Sequence, residues 1–445
     1  MSQAPTTSIP VPERETPRAY LTEADGQKRL DKIAANPAMR HDNVHLPEGA
    51  TTKLSGLLLI IGAAAIVVTI LGAFAVNKYH ALAAFEVGLF TCVAMSLGAL
   101  FLTMVFHSLN AGWTSTVRRQ FENVASILPV CWVMVLAVVL IELLGGGVLL
   151  TWLSDENAGD YLLGKKTPFL NPVFFGARFI IYGLVWLILS QLMFRVSRKQ
   201  DETGARSLTR VLRFNSGWGL LAFALTTAFF AFDFLMALDF RFFSTMWGVY
   251  YFASCTLASV SVVVLVLAVL KGTGRLTGAV TEEHFHDLGK LVLSFTVFWS
   301  YIAFSQYFLI WYSNIPEETA WFVYRTGEGG YKTLFLVLAF GHFVFPFCIL
   351  LFRKVKRSTG LLAFMAAYMI AMTVADMIWI IRPMVYVGER AAEDPGWNAV
   401  WLDAAGIIGA LCIWGFFLVR AVGASPLVPL KDPTLHEALA HKNYV

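Results

Sequence analysis

The chain has 445 residues and a formal net charge of +4; 57% of its residues are hydrophobic, only 14% are charged, and the mean hydropathy is +0.64. These values exclude a water-soluble globular protein and point to a polytopic membrane protein. The basic residues sit in loops beside apolar runs, where membrane topology explains them and nucleic-acid binding does not.

Residues 1–53 are polar, carry both charges and several prolines, and lack the apolar core of a signal peptide, so they read as a partly disordered, mobile tail. A membrane crossing needs about 20 apolar residues, and about ten runs fit: 54–76, 80–106, 124–152, 171–195, 214–238, 245–270, 288–312, 331–352, 361–381 and 399–421. The expected fold is therefore all-α, with a membrane domain over 54–421 and a C-terminal tail over 422–445. The third run is overlong; Pro129 and the triplet Gly145, Gly146, Gly147 predict a kink or unwinding near its end.

Basic clusters at Arg118 and Arg119, Arg198 to Arg213, Lys271 and Arg275, and Arg353 to Arg357 all fall on the side of the N-terminal tail. By the positive-inside rule both termini are expected in the cytoplasm. The outward loops 154–172, 313–330 and 382–398 are rich in Trp, Tyr, Pro and Gly, as interface belts and docking loops are. The five cysteines are single, with no C-x-x-C pair or haem-attachment motif, and read as small buried apolar residues.

Intramembrane acids carry the functional interest. Glu86, Glu142, Asp233, Asp376 and Asp403 fall mostly in the outer half of the spans, where an unpaired carboxylate costs on the order of 3 kcal/mol and needs a partner or a wet cavity. Arg178 lies at matching depth and is expected to pair with Asp233 or a neighbouring acid. Either a proton path or hydrogen bonding between helices accounts for the others.

In the seventh run Asp287, Lys290, Ser294, Tyr301, Ser305 and Tyr312 share one face, which reads equally as the lining of a water chain or as glue between helices. Glu86 and His107 lie roughly 30 Å apart along the second run, and Asn215, Thr226 and Asp233 share a stripe on the fifth. His342 precedes Pro346 by one turn; the missing N–H makes a polar notch, suited to proton relay or quinone binding, or simply to a structural kink. His107 and His342 sit at different depths, so a haem held between them is not expected. Asp233 and Asp376 occupy corresponding places four spans apart, a faint parallel repeat that suggests two four-helix bundles, about 80–238 and 245–381.

Several stretches resemble the NrfD-like (PsrC-like) membrane subunits, specifically the ActF type of bacterial alternative complex III. They are "GALFLTMVFHSLNAGWTSTVRRQFENV" (98–124), "FLNPVFFGARFIIYGLVW" (169–186), "FDFLMALDFRFFSTMWGVYYFAS" (232–254), "HDLGKLVLSFTVFWSYIAFSQYFLIWYSNIPEET" (286–319) and "LAFGHFVFPF" (338–347). The resemblance spans most of 54–420. It implies a ten-helix subunit with two four-helix bundles, in a bacterial inner-membrane complex that oxidises quinol for a cytochrome or terminal oxidase.

The implied partners are a sister NrfD-like quinol-binding subunit, an iron–sulfur protein, multihaem cytochrome c subunits, small membrane subunits and lipids. On this resemblance haem c and iron–sulfur clusters belong to the partners, this chain holds no cofactor of its own beyond a possible quinol, and its role is a proton path and structural support. The matching positions are His107, Trp113, Arg118, Arg119, Glu122, Asn171, Arg178, Tyr182, Asp233, Met236 and Ser244, then His286, Asp287, Lys290, Tyr301, Ser305, Gln306, Asn314, Glu317, Glu318 and His342. Glu86 and Glu142 have no counterpart in that pattern.

The resulting expectation is a proton path drawn from Asp233, Arg178, His342, Tyr301, Ser305, Lys290, Asp287 and His107, with Glu86, Glu142, Asp376 and Asp403 as further candidates. Direct quinol oxidation in this chain, a secondary transporter and a pure scaffold remain as alternatives.

Overall fold

The computed structural model describes residues 23–327, 330–386 and 394–443. Among them no strand occurs, and ten helices are long and apolar enough to cross a membrane. The chain is an all-α, multi-pass membrane protein. We number these helices α1 (Thr52–Ala75), α2 (Lys78–Ser108), α3 (Gly112–Leu144), α4 (Pro172–Thr203), α5 (Arg206–Met236), α6 (Trp247–Gly272), α7 (Glu282–Ser313), α8 (Tyr331–Leu351), α9 (Thr359–Met384) and α10 (Val400–Gly423). The end where α1 begins is called the tail end, and the opposite one the far end.

Burial divides the ten sharply. The most apolar stretches of α2 and α6 are 89% and 78% buried, against 17% for α1, so α2 and α6 form the central pair. Their backbones touch at Gly98, where a Cβ would stand 2.0 Å from the carbonyl oxygen of Cys255; small residues permit such contacts between membrane helices. Helices α2 to α5 pack on one another, as do α6 to α9, and the groups meet along α2, α5, α6 and α9. On the outside of α2 lies α10, with α1 against it.

The third span departs from expectation. It starts at residue 112 instead of 124, breaks at Ser126 and Ile127 just before Pro129, and ends at Leu144. Arg118, Arg119 and Glu122 looked like loop residues but are buried helical ones, because Asp432 and Asp201, distant in sequence, pair with the two arginines, which in turn pair with Glu122. The unwinding at the glycine triplet is as expected: Gly146 and Gly147 have φ of 65° and 83°, a region that favours glycine.

The N-terminal tail also differs from a mobile reading within the described residues, and the C-terminal tail packs beside it. Asn43 bonds to Thr277 in both directions, and the Leu427 amide donates to the Val44 carbonyl at 2.8 Å. From Ala424 onward the chain runs back across the tail end as a strap; Leu430 N–H donates to Asp201 at 2.8 Å and Ser115 bonds to Thr434 at 2.6 Å. Residues 1–22, and the part of the 382–398 loop at 387–393, lie outside the described residues.

Candidate functional site

Two buried aspartates hold corresponding places in the two helix groups, in surroundings of different chemistry. Asp233 lies in a π-helical turn (Phe232–Met236) that closes α5. Arg178 of α4 forks onto it, Nε to Oδ2 at 2.9 Å and Nη2 to Oδ1 at 2.7 Å, and the Tyr182 hydroxyl donates to Oδ2 at 2.7 Å. The guanidinium also donates to the Phe169 carbonyl and lies against the rings of Phe169 and Phe174. Both carboxylate oxygens therefore have partners, with a cation opposite the anion. The Arg178 pairing drawn from depth alone is present, with Asp233 as the acid.

Asp376 of α9 faces neutral groups only. Tyr250 donates to Oδ1, while Ser254 Oγ and Trp299 Nε1 each donate to Oδ2 at 3.1 Å. No cation bonds to it among the described residues. The Trp299 ring stacks on His342 with centroids 3.9 Å apart. His342 is fully buried, and neither ring nitrogen has a hydrogen-bond partner among the described residues.

His342 sits where Pro346 cannot donate to it, and α8 responds with a π-helical stretch, Leu338–Val344. The Tyr368 hydroxyl donates to the Gly341 carbonyl freed there, at 2.9 Å. Filling backbone gaps from a neighbouring helix is what a dry interior requires.

Beside this cluster lies a cavity of about 500 Å³ between α7 and α8, with Tyr250, Trp299 and Gln306 on a wall otherwise almost wholly aromatic or aliphatic. A second, more polar cavity of about 600 Å³ occupies the far end, with Glu156, Asp239, Arg241 and Glu317 on its walls. Trp321 lines both and so stands between them. It is held by Arg325, a fully buried guanidinium lying 3.4 Å from the Trp321 ring and donating to the carbonyls of Trp379 and Ile380 at the end of α9. Cations suit the carbonyl end of a helix.

The tail end holds a buried ionic cluster. Arg118 pairs with Asp432 and, at 3.2 Å, with Glu122; Arg119 pairs with Glu122 at 3.3 Å and with Asp201 at 2.6 Å. His107 Nε2 lies 3.8 Å from Glu122. Burial alone would raise the Asp432 carboxyl, but Arg118 and the Thr434 bonds more than offset this and hold it well below the ordinary carboxylate range. Asp287 lies on the same surface, bonded to Lys290 at 2.8 Å and to His441 of the strap at 2.6 Å.

The remaining acids separate into distinct duties. Glu142 accepts N–H groups from Leu149 and Leu150 at 2.9–3.2 Å and so secures the turn after the glycine triplet. Asp403 pairs with His80 at 3.0 Å and Arg382 at 3.1 Å, tying α2, α9 and α10 together. Tyr386, bonded to the same His80, has a hydroxyl that burial pushes up to about 12. Glu86 is buried, with Oε2 lacking a partner among the described residues and Glu142 as its charged neighbour.

Most of the hydroxyl stripe of α7 faces outward, with Tyr301 at the mouth of the cavity between α7 and α8. Lys290, Ser294, Tyr301 and Tyr312 are exposed and Ser305 half-buried, because α7 turns Phe285, Leu288, Val292, Thr296 and Trp299 inward instead. An inward water chain along Lys290, Tyr301 and Ser305 is thus corrected. Asn215 is half-buried and bonds back to the Val211 carbonyl at 2.8 Å, while Thr226 accepts from Trp186 Nε1 at 3.0 Å.

Of the other matched positions, Ser244 donates to Gln306 at 2.7 Å while its N–H meets the Met236 sulfur. Asn171 caps α4, and Asn314, at φ 48°, ends α7. Trp113 stacks on His441, and His286 is buried beside Lys290 and Lys356. Glu317 and Glu318 lie in the first turn of a helix, Pro316–Thr326, that buries Trp321, Phe322 and Arg325.

Sequence reasoning missed Tyr250, Ser254, Trp299, Arg325 and Asp432. Tyr250 and Ser254 are one turn apart on α6, the single signal that pointed to a shared polar target. No group of three or more His, Cys, Asp or Glu side chains is suited to a metal ion among the described residues. No family model matches the chain, and no curated protein matches it either.

Proposed function

We propose that this chain is an integral membrane subunit of a quinol-oxidising electron-transfer complex, of the alternative complex III kind its sequence resembles, sited in a bacterial inner membrane with both termini cytoplasmic. Its contribution is a proton path whose station nearest the far side is Asp376, alongside structural support. A sister NrfD-like subunit, an iron–sulfur protein and multihaem cytochromes supply the redox groups.

The observation that carries this reading is the environment of Asp376: a fully buried carboxylate held only by neutral donors, with Tyr250 between it and a cavity. A group of that kind can exchange a proton without breaking an ion pair. Protonating Asp233, in contrast, would strand the Arg178 guanidinium in the interior. Asp233 and Arg178 therefore serve the framework, and the path runs by way of Asp376, with His342 as the next buried titratable side chain. In reconstituted complex, Asp376→Asn lowers the number of protons moved per electron while quinol oxidation continues; an unchanged ratio removes Asp376 from the path.

The cavity favours a second reading, in which this chain binds quinol itself. Its volume of about 500 Å³ and aromatic walls suit a ring with an isoprenoid tail. A quinol hydroxyl beside Tyr250 would pass its proton to the tyrosine oxygen as the tyrosine proton moves to Asp376, and its electrons to a partner's redox group. Photolabelling by an azidoquinone at Trp299 or Gln306, competed by quinol, distinguishes this reading from proton conduction alone.

A further inference from the structure

The outward face of α7 is unlike the other outer surfaces of the membrane domain. Past Lys53, every exposed residue of α1 is apolar, among them Ile60, Leu71 and Phe74. Its most apolar stretch reaches a mean hydropathy of 2.8, whereas that of α7 reaches only 1.4, the lowest of the ten. On its outer face Ser294 and Tyr301 are exposed and Ser305 half-buried, and none of the three has a hydrogen-bond partner among the described residues. Hydrocarbon offers hydroxyls nothing in return for lost water.

Their spacing identifies what covers them. Ser294, Phe298, Tyr301, Ser305, Phe308 and Tyr312 follow one another in alternate steps of four and three. That is the seam of a left-handed helix pair, in which each side chain enters a hole on the facing helix. Lipid chains need no such register. At the tail end of the same face Arg353 and Lys354 are exposed, and Lys290 is exposed and paired with Asp287 at 2.8 Å. A second copy related by a two-fold axis along the membrane normal would set these cations against their own counterparts.

We propose that this face of α7 docks one transmembrane helix of a different polypeptide, packed left-handed along the Ser294 to Tyr312 seam, with small or hydroxyl-bearing residues opposite Tyr301 and Ser305 and acidic residues just beyond its span at the tail end. The interface needs neither the proton path nor a bound quinol; Tyr301 also lines the cavity between α7 and α8, so Ser294 and Tyr312, which lie outside it, test the docking apart from the functional reading above.

The test places the photocrosslinker p-benzoylphenylalanine singly at Ser294, Tyr301, Ser305 and Tyr312 of the full chain in its native membrane, with Ile60 on α1 as the exposed control. The expected result is a product from at least two seam positions, joined to one transmembrane segment of one other polypeptide, and no such product from Ile60. Sequencing the joined peptide then reads its seam and its flanking charge. Products with lipid only, with a second copy of this chain, with several unrelated proteins, or equally from Ile60 overturn the proposal, as does the absence of any product.

Discussion

Asp233 and Asp376 are both buried near the far ends of corresponding helices, and both accept a hydrogen bond from a tyrosine. They differ in one respect: Asp233 has a guanidinium forked onto it, and Asp376 has Trp299 and Ser254 in that place. The nearby guanidinium of the second group, Arg325, bonds to backbone carbonyls at the end of α9 instead. An anion paired with a buried cation is fixed in charge and holds two helices together. One surrounded by neutral donors is free to change charge, and only that kind suits proton transfer.

The largest expected effect sharpens the first half of the comparison. Arg178→Met leaves a buried carboxylate without its cation and costs about 3–5 kcal/mol, whereas Arg178→Met with Asp233→Leu recovers most of that loss. Unfolding in detergent measures both; a single variant as stable as the parent would end the framework role given to this pair.

Asp432 supplies a paired aspartate outside the membrane, where pH reaches it. Asp432→Ala leaves Arg118 with Glu122 alone and loosens the C-terminal strap by about 1–3 kcal/mol. Because Arg118 depresses the folded-state value, the stabilisation is complete above the ordinary aspartate value of about 3.9 and fades as pH falls below it through the folded value. Hydrogen exchange across residues 424–443 reads the loosening; strap protection unchanged between the parent and the variant would show that the ion pair does not hold it.

Asp376→Asn has a smaller structural effect, about 1 kcal/mol or less. The amide of that variant can keep its oxygen for Trp299 and Ser254 and offer an N–H to the Tyr250 oxygen, whose own hydroxyl proton then turns toward the adjoining cavity. Stability close to that of the parent, with proton movement reduced, is the pattern expected of a relay. A collapse like that of Arg178→Met would place Asp376 in the framework beside Asp233.

The smallest effect on proton movement concerns the notch in α8. Tyr368→Phe removes one hydrogen bond to the Gly341 carbonyl and costs about 0.5–1.5 kcal/mol. Proton movement should persist in it, because the bond serves the backbone. Loss of proton movement at full stability would bring Tyr368 into the path.

The ten spans were legible because length and apolarity are local properties of the chain. The Arg178–Asp233 pair was legible too, since one deep guanidinium stood at the depth of the acids. The partners of Asp376 were not: Tyr250, Ser254 and Trp299 lie on helices whose contact with α9 no periodicity encodes. Arg118, Arg119 and Glu122 looked like loop residues because Asp201 and Asp432, which make their burial tolerable, lie far away in sequence. On α7 the periodicity located a polar face correctly but could not orient it; inward and outward stripes have the same spacing, and packing of Leu288, Val292 and Trp299 decided the matter.

The most direct test of the account is infrared difference spectroscopy of the assembled complex during quinol oxidation, following the carboxyl C=O band in the parent and in Asp376→Asn. The account predicts a band that changes on turnover in the parent and is missing in Asp376→Asn. The same band persisting undiminished in Asp376→Asn would contradict it and return the search to other buried carboxyls, Glu86 first.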